Sequence, residues 1–374
     1  MDYLKSLIDP AVLTWVSAAL VYCLVLQAFR EPPTMKWLCV IALGISAVAL
    51  GSSFPAFLVM NSIAYGVVYV ISKTKNRWQW TTVFLIVLAA VFTAARIGKW
   101  DSISVMVAGA HWPVYYLDMW MLLRLVTFTW EMGMDTGATP PLLRYFAWTS
   151  NPLIGGGPLL RFSQFSEVRR NPSVFRSRQW WIGFAHAMGM LLAAMAVTAL
   201  SLAVKAGWPH GPAWTKAASF LFFGPWTFYL SFAGFYRMME VLGQPCGILI
   251  PRSFNLPFFR SNISEFWANW NMTATSVFRD YFFYNRWGVR YYNIYFNTMV
   301  VFLFVGLWHA ANLYWILFGL LHGFFFCTYL LWRRWGAGIS NNRLIYAGGV
   351  ALTYVAVCSG WYLPSKVIQA LGLL

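Results

Sequence analysis

The 374-residue chain reads as an all-α polytopic membrane protein, on three observations. It is 60% hydrophobic and only 10% charged, where a soluble domain runs nearer 45–50% and about 25%. Several windows are long enough to cross about 30 Å of hydrocarbon, which takes roughly 20 helical residues. Those windows are continuously apolar rather than alternating, so they predict helices and not barrel strands.

Taken in order, the apolar windows are residues 10–29, 35–51, 54–71 and 79–95. The opening MDYLKSLIDP has no basic n-region and no cleavage pattern, so the first helix is expected to stay in the protein. Residues 103–130 form a less regular aromatic region carrying His111, Asp118 and Arg124. Windows at 180–204, 214–238, 292–308, 313–332 and 344–363 bring the expected total to about ten crossings. Arg30 and Lys36, then Lys73, Lys75 and Arg77, place the amino terminus outside by the positive-inside bias, although Arg96 and Lys99 run against that order.

The formal charge of +16 lies mostly in short loops beside the spans. The positive-inside bias and anionic lipid headgroups account for it, so no nucleic-acid partner is expected. An acidic cytosolic partner, a nucleotide-bearing donor or an acidic carrier protein, is compatible with it. Cys23, Cys39, Cys246, Cys327 and Cys358 have no CxxC spacing and read as small buried hydrophobes. No internal repeat or soluble-sized polar segment is visible, so one membrane domain, 1–374, is expected, with a motif-bearing core at about 140–325.

Two regions do not read as ordinary spans. Residues 140–165, PPLLRYFAWTSNPLIGGGPLLRFSQF, contain Pro152, Gly155, Gly156, Gly157 and Pro158, which break any helix. Irregular backbone at membrane depth must be buried in protein or line a cavity, which suggests a re-entrant element beside a site. A plain cytosolic loop is the other reading, supported by Arg169, Arg170, Arg176 and Arg178. The second region opens SNISEFWANWNMTATSVFRDYFFYNRWG at Ser261. Asn262 and Glu265 have the spacing of an N-cap and its reciprocal acid, predicting a helix start. Phe266, Trp267, Trp270 and Ala274 then recur at helical spacing, with Asn269, Asn271 and Thr275 elsewhere. Such a helix lies in the interface or dips into the membrane.

The chain has no GxSxG, HExxH, GxxxxGK[ST] or HxxxxD pattern, which removes soluble-type hydrolase, zinc-protease and P-loop readings. His111, His186 and His210 have no patterned company. His309 and His322 are thirteen residues apart without a nearby carboxylate, so no metal site is expected. His322 falls between Gly319 and Gly323, a spacing that admits a close helix, and reads as a hydrogen-bonded packing residue. His309, inside GLWHAANLYWILFGLLHG, follows Trp308 and precedes two alanines and Asn312. An ionisable ring in so apolar a stretch is either functional or a satisfied core histidine, and both readings stand on the residues alone.

Three segments together resemble the membrane-bound O-acyltransferase (MBOAT) family. A pattern like GPIxRFxxF is matched by Gly157, Pro158, Arg161, Phe162 and Phe165. One like SIxEFWxRWHxSLSxWxRDYxY is matched by Ile263, Glu265, Phe266, Trp267, Trp270, Arg279, Asp280 and Tyr281. A third, like GLWHGAxWxFxLWGLLHG, is matched by Gly306, Leu307, Trp308, His309, Ala311, Gly319, Leu320, Leu321, His322 and Gly323. The likeness is closest to the bacterial branch that modifies cell-envelope polymers, including alginate O-acetylating and teichoic-acid D-alanylating members. Where that branch usually has histidine in RWH, this chain has Asn271 in NWN.

The resemblance implies helices around a central tunnel, with His309 as catalytic base and Asn271, 38 residues earlier, as its partner. An alcohol is a weak nucleophile, and a neutral imidazole within reach takes its proton during attack on a thioester. The Asn271 amide can donate to an oxyanion or orient the acyl carbonyl without adding a charge. Asn271 also sits in an N-x-T sequon, which its expected interior position makes irrelevant. The same motifs supply candidate substrate or donor contacts in Arg161, Trp267, Trp270, Arg279, Asp280, Trp308, Asn312 and His322. Arg279 and Asp280 read rather as a local ion pair closing the helix, and Arg161 and Arg260 equally as donor-phosphate contacts or interfacial anchors. No permanently bound cofactor is implied. The expected donor is an acyl thioester, acyl-CoA or an acyl carrier protein, and the expected partners are membrane lipids, that donor and an extracytoplasmic protein. The expected location is the bacterial cytoplasmic membrane. An envelope glycan or polymer hydroxyl is the leading acceptor, with a lipid or small metabolite as alternative. A transporter or channel is the competing class, since it also uses broken helices and buried polar groups.

Overall fold

The computed structural model describes residues 10–29, 31, 33–97, 102–107, 110–115, 119–136, 138, 141–165, 172–208, 211–284, 293–335 and 343–373. Arg30, Lys99, Asp118, Arg169, Arg170 and His210 lie outside the described residues, as do the side chains of Arg96 and His111. The chain divides into two compact units, Met1–Met190 with Gly234–Pro251, and Leu191–Ala233 with Arg252–Leu374.

The first unit is built from α1 (Pro10–Ala28), α2 (Met35–Leu50), α3 (Phe54–Ser72), α4 (Arg77–Ile97), α5 (Met119–Trp130) and α6 (Leu142–Thr149). It also takes the start of α7 (Arg178–Gly207) and the end of α9 (Gly224–Gly243). The second unit holds the rest of α7 and α9, α8 (Ala213–Ala218), α10 (Ile263–Asn269), α11 (Met272–Val277), α12 (Ile294–His309), α13 (Leu313–Arg334) and α14 (Arg343–Ala370).

Among the described residues, five helical stretches are long and apolar enough to cross a membrane: Met35–Ser72, Arg77–Ala94, Arg178–Gly207, Leu313–Arg334 and Arg343–Ala370. Thr14–Ala28 and Ile294–His309 are apolar but shorter. The molecule is therefore a helical membrane protein, and among the described residues the expected ten crossings are not all found as helices of that length and hydropathy. The window at 214–238 is divided between α8, a π-helical turn at Ser219–Phe223 and α9. α14 runs through Pro364 instead of stopping before it, as membrane helices do when neighbours re-satisfy the freed carbonyl.

The fold is all-α as expected, apart from one short strand pair. Ser102–Val107 and Ala110–Tyr115 pair as an antiparallel hairpin, β1 and β2, with Ser102 opposite Tyr115. SISVMV places β-branched residues at every second position, a period-2 pattern that suits a strand and is too short to outweigh the surrounding apolar windows.

In the first unit residues 151–165 form no helix beyond a single 3-10 turn at Pro152–Ile154, and no surface loop. Asn151, Pro152, Leu153, Ile154, Gly155, Gly157, Pro158, Leu159, Leu160, Phe162 and Phe165 are buried, which favours the embedded reading over the cytosolic loop. Side chains take up the backbone polar groups that no helix satisfies. Arg124 Nη1 donates to the Ile154 carbonyl at 2.6 Å, and Trp148 Nε1 to Leu160 at 2.9 Å. Arg144 Nη2 reaches the Phe165 carbonyl at 2.6 Å, and buried Glu131 accepts from Ser163 N and Oγ at 2.8 and 2.7 Å. Gly157 has φ +89°, and a Cβ there would strike the Tyr236 hydroxyl, so the close turn requires glycine.

In the second unit α12 and α13 form an antiparallel pair at backbone contact. A Cβ on Gly306 would collide with the Trp315 carbonyl, and one on Gly319 with that of Phe302. A Cβ on Gly323 would lie 2.9 Å from Met299 Sδ. This is the small-residue packing that the GxxxG spacing predicts. α14 closes against them through Tyr314, whose hydroxyl donates to the Trp361 carbonyl at 2.7 Å.

Candidate active site

Asn262 caps α10 as its spacing predicts, its Oδ1 accepting from Glu265 N at 2.9 Å. The helical spacing of Phe266, Trp267, Trp270 and Ala274, however, does not continue as one helix. α10 stops at Asn269, Trp270 is extended (φ −104°, ψ 123°) and Asn271 is left-handed (φ 41°, ψ 52°) before α11 begins. Two forces make the break. The Trp270 indole is buried among Phe228, Phe254, Phe258, Phe266 and Trp361, with centroids 5.2–6.0 Å away. The preceding loop also grips both sides: Met272 N donates to Ser253 O at 2.7 Å, and Asn255 N to Asn269 O at 3.1 Å. Asparagine is among the non-glycine residues that tolerate this conformation best. The Asn271 side chain is held at the bend, and its Oδ1 is buried without a hydrogen-bond partner.

His309 is the last residue of α12, one residue beyond the apolar window expected at 292–308. Ala310 is extended (φ −165°, ψ 145°), and Asn312 starts α13 by accepting from Trp315 N at 3.1 Å. The imidazole is half-buried and lies almost parallel to the Trp315 indole, centroids 4.3 Å apart at 17°. Trp308 lies 4.6 Å away and Phe318 6.2 Å, nearly edge-on. Trp315 was not singled out by the sequence; its place two residues inside α13, after the Asn312 cap, was the available signal.

His322 lies two turns along the same face of α13. It is fully buried, and neither ring nitrogen has a hydrogen-bond partner. Phe318 lies 4.4 Å away and Trp267 5.1 Å, edge-on. A Cβ on Gly360 would collide with Nε2, so α14 leaves room for the ring by having glycine there. The hydrogen-bonded packing role expected for His322 is thus realised as ring packing. Trp267 Nε1 and Asn297 Nδ2 are likewise buried without partners. Rings thus run without interruption from Trp267 through His322 and Phe318 to His309.

The remaining candidates are placed as follows. Trp308 is buried against Phe278, centroids 5.7 Å apart. Arg279 Nε meets Asp280 Oδ1 at 2.7 Å on an exposed surface, and that bond holds the guanidinium above its ordinary range. Arg260 donates to the Asn255 carbonyl at 2.6 Å, supporting the loop that grips Asn271. Arg161 belongs to the first unit, near Asp135. Burial pushes the Asp135 carboxyl up, while a hydrogen bond from Trp130 and the charge of Arg161 pull it back. Among the described residues no group of three His, Cys, Asp or Glu side chains is placed to hold a metal.

No family model matches the chain. It is similar to proteins named for acyl transfer. Over 239 residues it is 26% identical to the probable alginate O-acetylase AlgI of Pseudomonas syringae pv. tomato, covering 61% of this chain and 44% of the relative. Over 153 residues it is 29% identical to the teichoic acid D-alanyltransferase of Bacillus subtilis, covering 37% and 38%. Over 113 residues it is 34% identical to the peptidoglycan O-acetyltransferase of Helicobacter pylori, covering 30% and 21%. The chain spans less than half the length of these curated relatives.

Proposed function

We propose that this chain is a membrane O-acyltransferase, carrying an acyl group from a cytosolic thioester, acyl-CoA or an acyl carrier protein, to a hydroxyl of an envelope glycan or polymer in the bacterial cytoplasmic membrane. Relatives named for alginate, teichoic acid and peptidoglycan support the reaction class and the acceptor class. In this reading the neutral His309 imidazole takes the hydroxyl proton as the oxygen attacks the thioester carbonyl. The tetrahedral oxyanion collapses, the C–S bond breaks and the thiolate leaves, receiving the proton from the imidazolium.

The observation that carries the reading is the buried, unpartnered Oδ1 of Asn271 on a left-handed backbone. An unsatisfied buried acceptor costs about 1–3 kcal/mol, and a left-handed non-glycine residue adds of order 1 kcal/mol or more. Such costs are tolerated where a ligand supplies the missing partner. Oδ1 accepts, so the group it awaits is a donor; since His309 takes the proton of the attacking hydroxyl, that donor is another O–H or N–H of the bound substrates. His309, at a helix end and half-buried, retains the exposure that proton exchange requires.

The test is consumption of acyl thioesters by the purified full chain in lipid, with envelope extracts as acceptor and mass spectrometry of the product. Transfer that persists in a folded His309→Ala variant would remove His309 as the base. Solute flux with no thioester consumed would favour the transporter class.

A further inference from the structure

We propose that Trp315 is a positioning residue for His309: its indole lies flat on the imidazole and fixes the plane in which the ring nitrogens meet the reacting hydroxyl. The proposal rests on the acyltransferase reading above and deepens it. Of the ring contacts of His309 with Trp308, Trp315 and Phe318, that with Trp315 is the shortest and most parallel, 4.3 Å and 17°. Trp308 is tilted at 47° and Phe318 stands at 82°. Imidazole lone pairs and N–H bonds lie in the ring plane. A stacked face therefore restricts rotation without occupying a nitrogen, which a hydrogen bond would do.

Trp315 is itself held in place. Its backbone N–H donates to Asn312 Oδ1 at 3.1 Å in the first turn of α13. Its carbonyl rests against Gly306, three residues before His309 on α12, so closely that a Cβ there would collide. Tyr314 and Phe318 brace the indole, each 5.2 Å away and steeply inclined. The backbone contact that joins the two helices therefore also sets the distance between indole and imidazole. A displacement of about 1 Å at a reacting group costs about 10²-fold in rate, so Trp315→Leu is expected to lower kcat about 10- to 100-fold. KM for the thioester should stay nearly constant, and Trp315→Phe should recover much of the loss.

Histidine-selective ring labelling of the full chain in lipid nanodiscs, read by NMR, tests the stack without using activity. The five histidines give separate ring signals, and His309→Gln assigns the one that matters. A ring lying flat on an indole has its C–H signals displaced upfield. That displacement should vanish in Trp315→Leu, shrink in Trp315→Phe and survive Phe318→Leu. An unmoved His309 signal in Trp315→Leu overturns the proposal, as does a purely KM effect on thioester consumption. If leucine at 315 unfolds the chain, seen as collapse of the other histidine signals, Trp315→Phe decides alone, and an undiminished displacement there overturns it. A wild-type chain that shows the stack yet consumes no thioester overturns the acyltransferase reading, and the positioning role with it. The two failures therefore appear in separate measurements.

Discussion

Residues 151–165 and the bend at Trp270 and Asn271 are both irregular backbone inside a helical protein, but their polar neighbours behave differently. Around the first, Arg124, Arg144, Trp148 and Glu131 each spend a polar group on the segment itself. Around the second the backbone is gripped as well, by Ser253 and Asn255, but the side-chain atoms Asn271 Oδ1, Trp267 Nε1 and both His322 nitrogens are buried and unpartnered. A satisfied irregular segment is scaffold, since its hydrogen bonds define one conformation. An unsatisfied one is costly unless something else arrives to bond it. The contrast separates two broken motifs that look alike as sequence.

The sharpest break of that contrast is at His309. His309→Ala should reduce transfer about 10²- to 10⁴-fold, the range of a general base, with thermal unfolding in lipid close to wild type; retained transfer would end the assignment. Asn271→Gly should cost about 10²-fold in rate while leaving stability nearly intact, because glycine accepts the left-handed backbone. Asn271→Ala should lose both rate and stability, and equal stability of the two variants would mean that the bend is unstrained. On the scaffold side, Asn61→Leu removes the oxygen that accepts from Tyr145 at 3.0 Å and Thr149 at 2.8 Å. It should destabilise by about 1–3 kcal/mol for each hydroxyl left unpaired, with the residual folded protein still active. Gly319→Val should cost at least about 1–3 kcal/mol by overpacking the α12–α13 contact. Arg279→Ala should change stability by less than about 1 kcal/mol, as exposed ion pairs do. A large loss of donor affinity there would move Arg279 from surface to site.

Several features were legible in the residues. The Asn262 cap, the glycine spacing of α13, most of the apolar windows and the order of the three motifs all follow from local rules. The hairpin at 102–115 was not, because its period-2 signal is short and lies among apolar windows. Nor was the break at Asn271. Helical spacing continues through Ala274, and what interrupts it is a tryptophan anchored by rings from α9, α10 and α14. Trp315 escaped notice because a tryptophan at helical spacing in an apolar segment ordinarily packs into lipid or core.

Composition and periodicity by themselves determined that the chain is helical and that it belongs in a membrane. Those are statements about how each residue exchanges water for hydrocarbon, and each residue makes that exchange largely alone. Tertiary structure alone decided that the 151–165 segment is buried, that Asn271 sits on a left-handed turn with an open acceptor, and that an indole lies flat on His309. Such features arise only when segments distant in the chain compete for the same space and the same hydrogen bonds, and no local pattern records that competition.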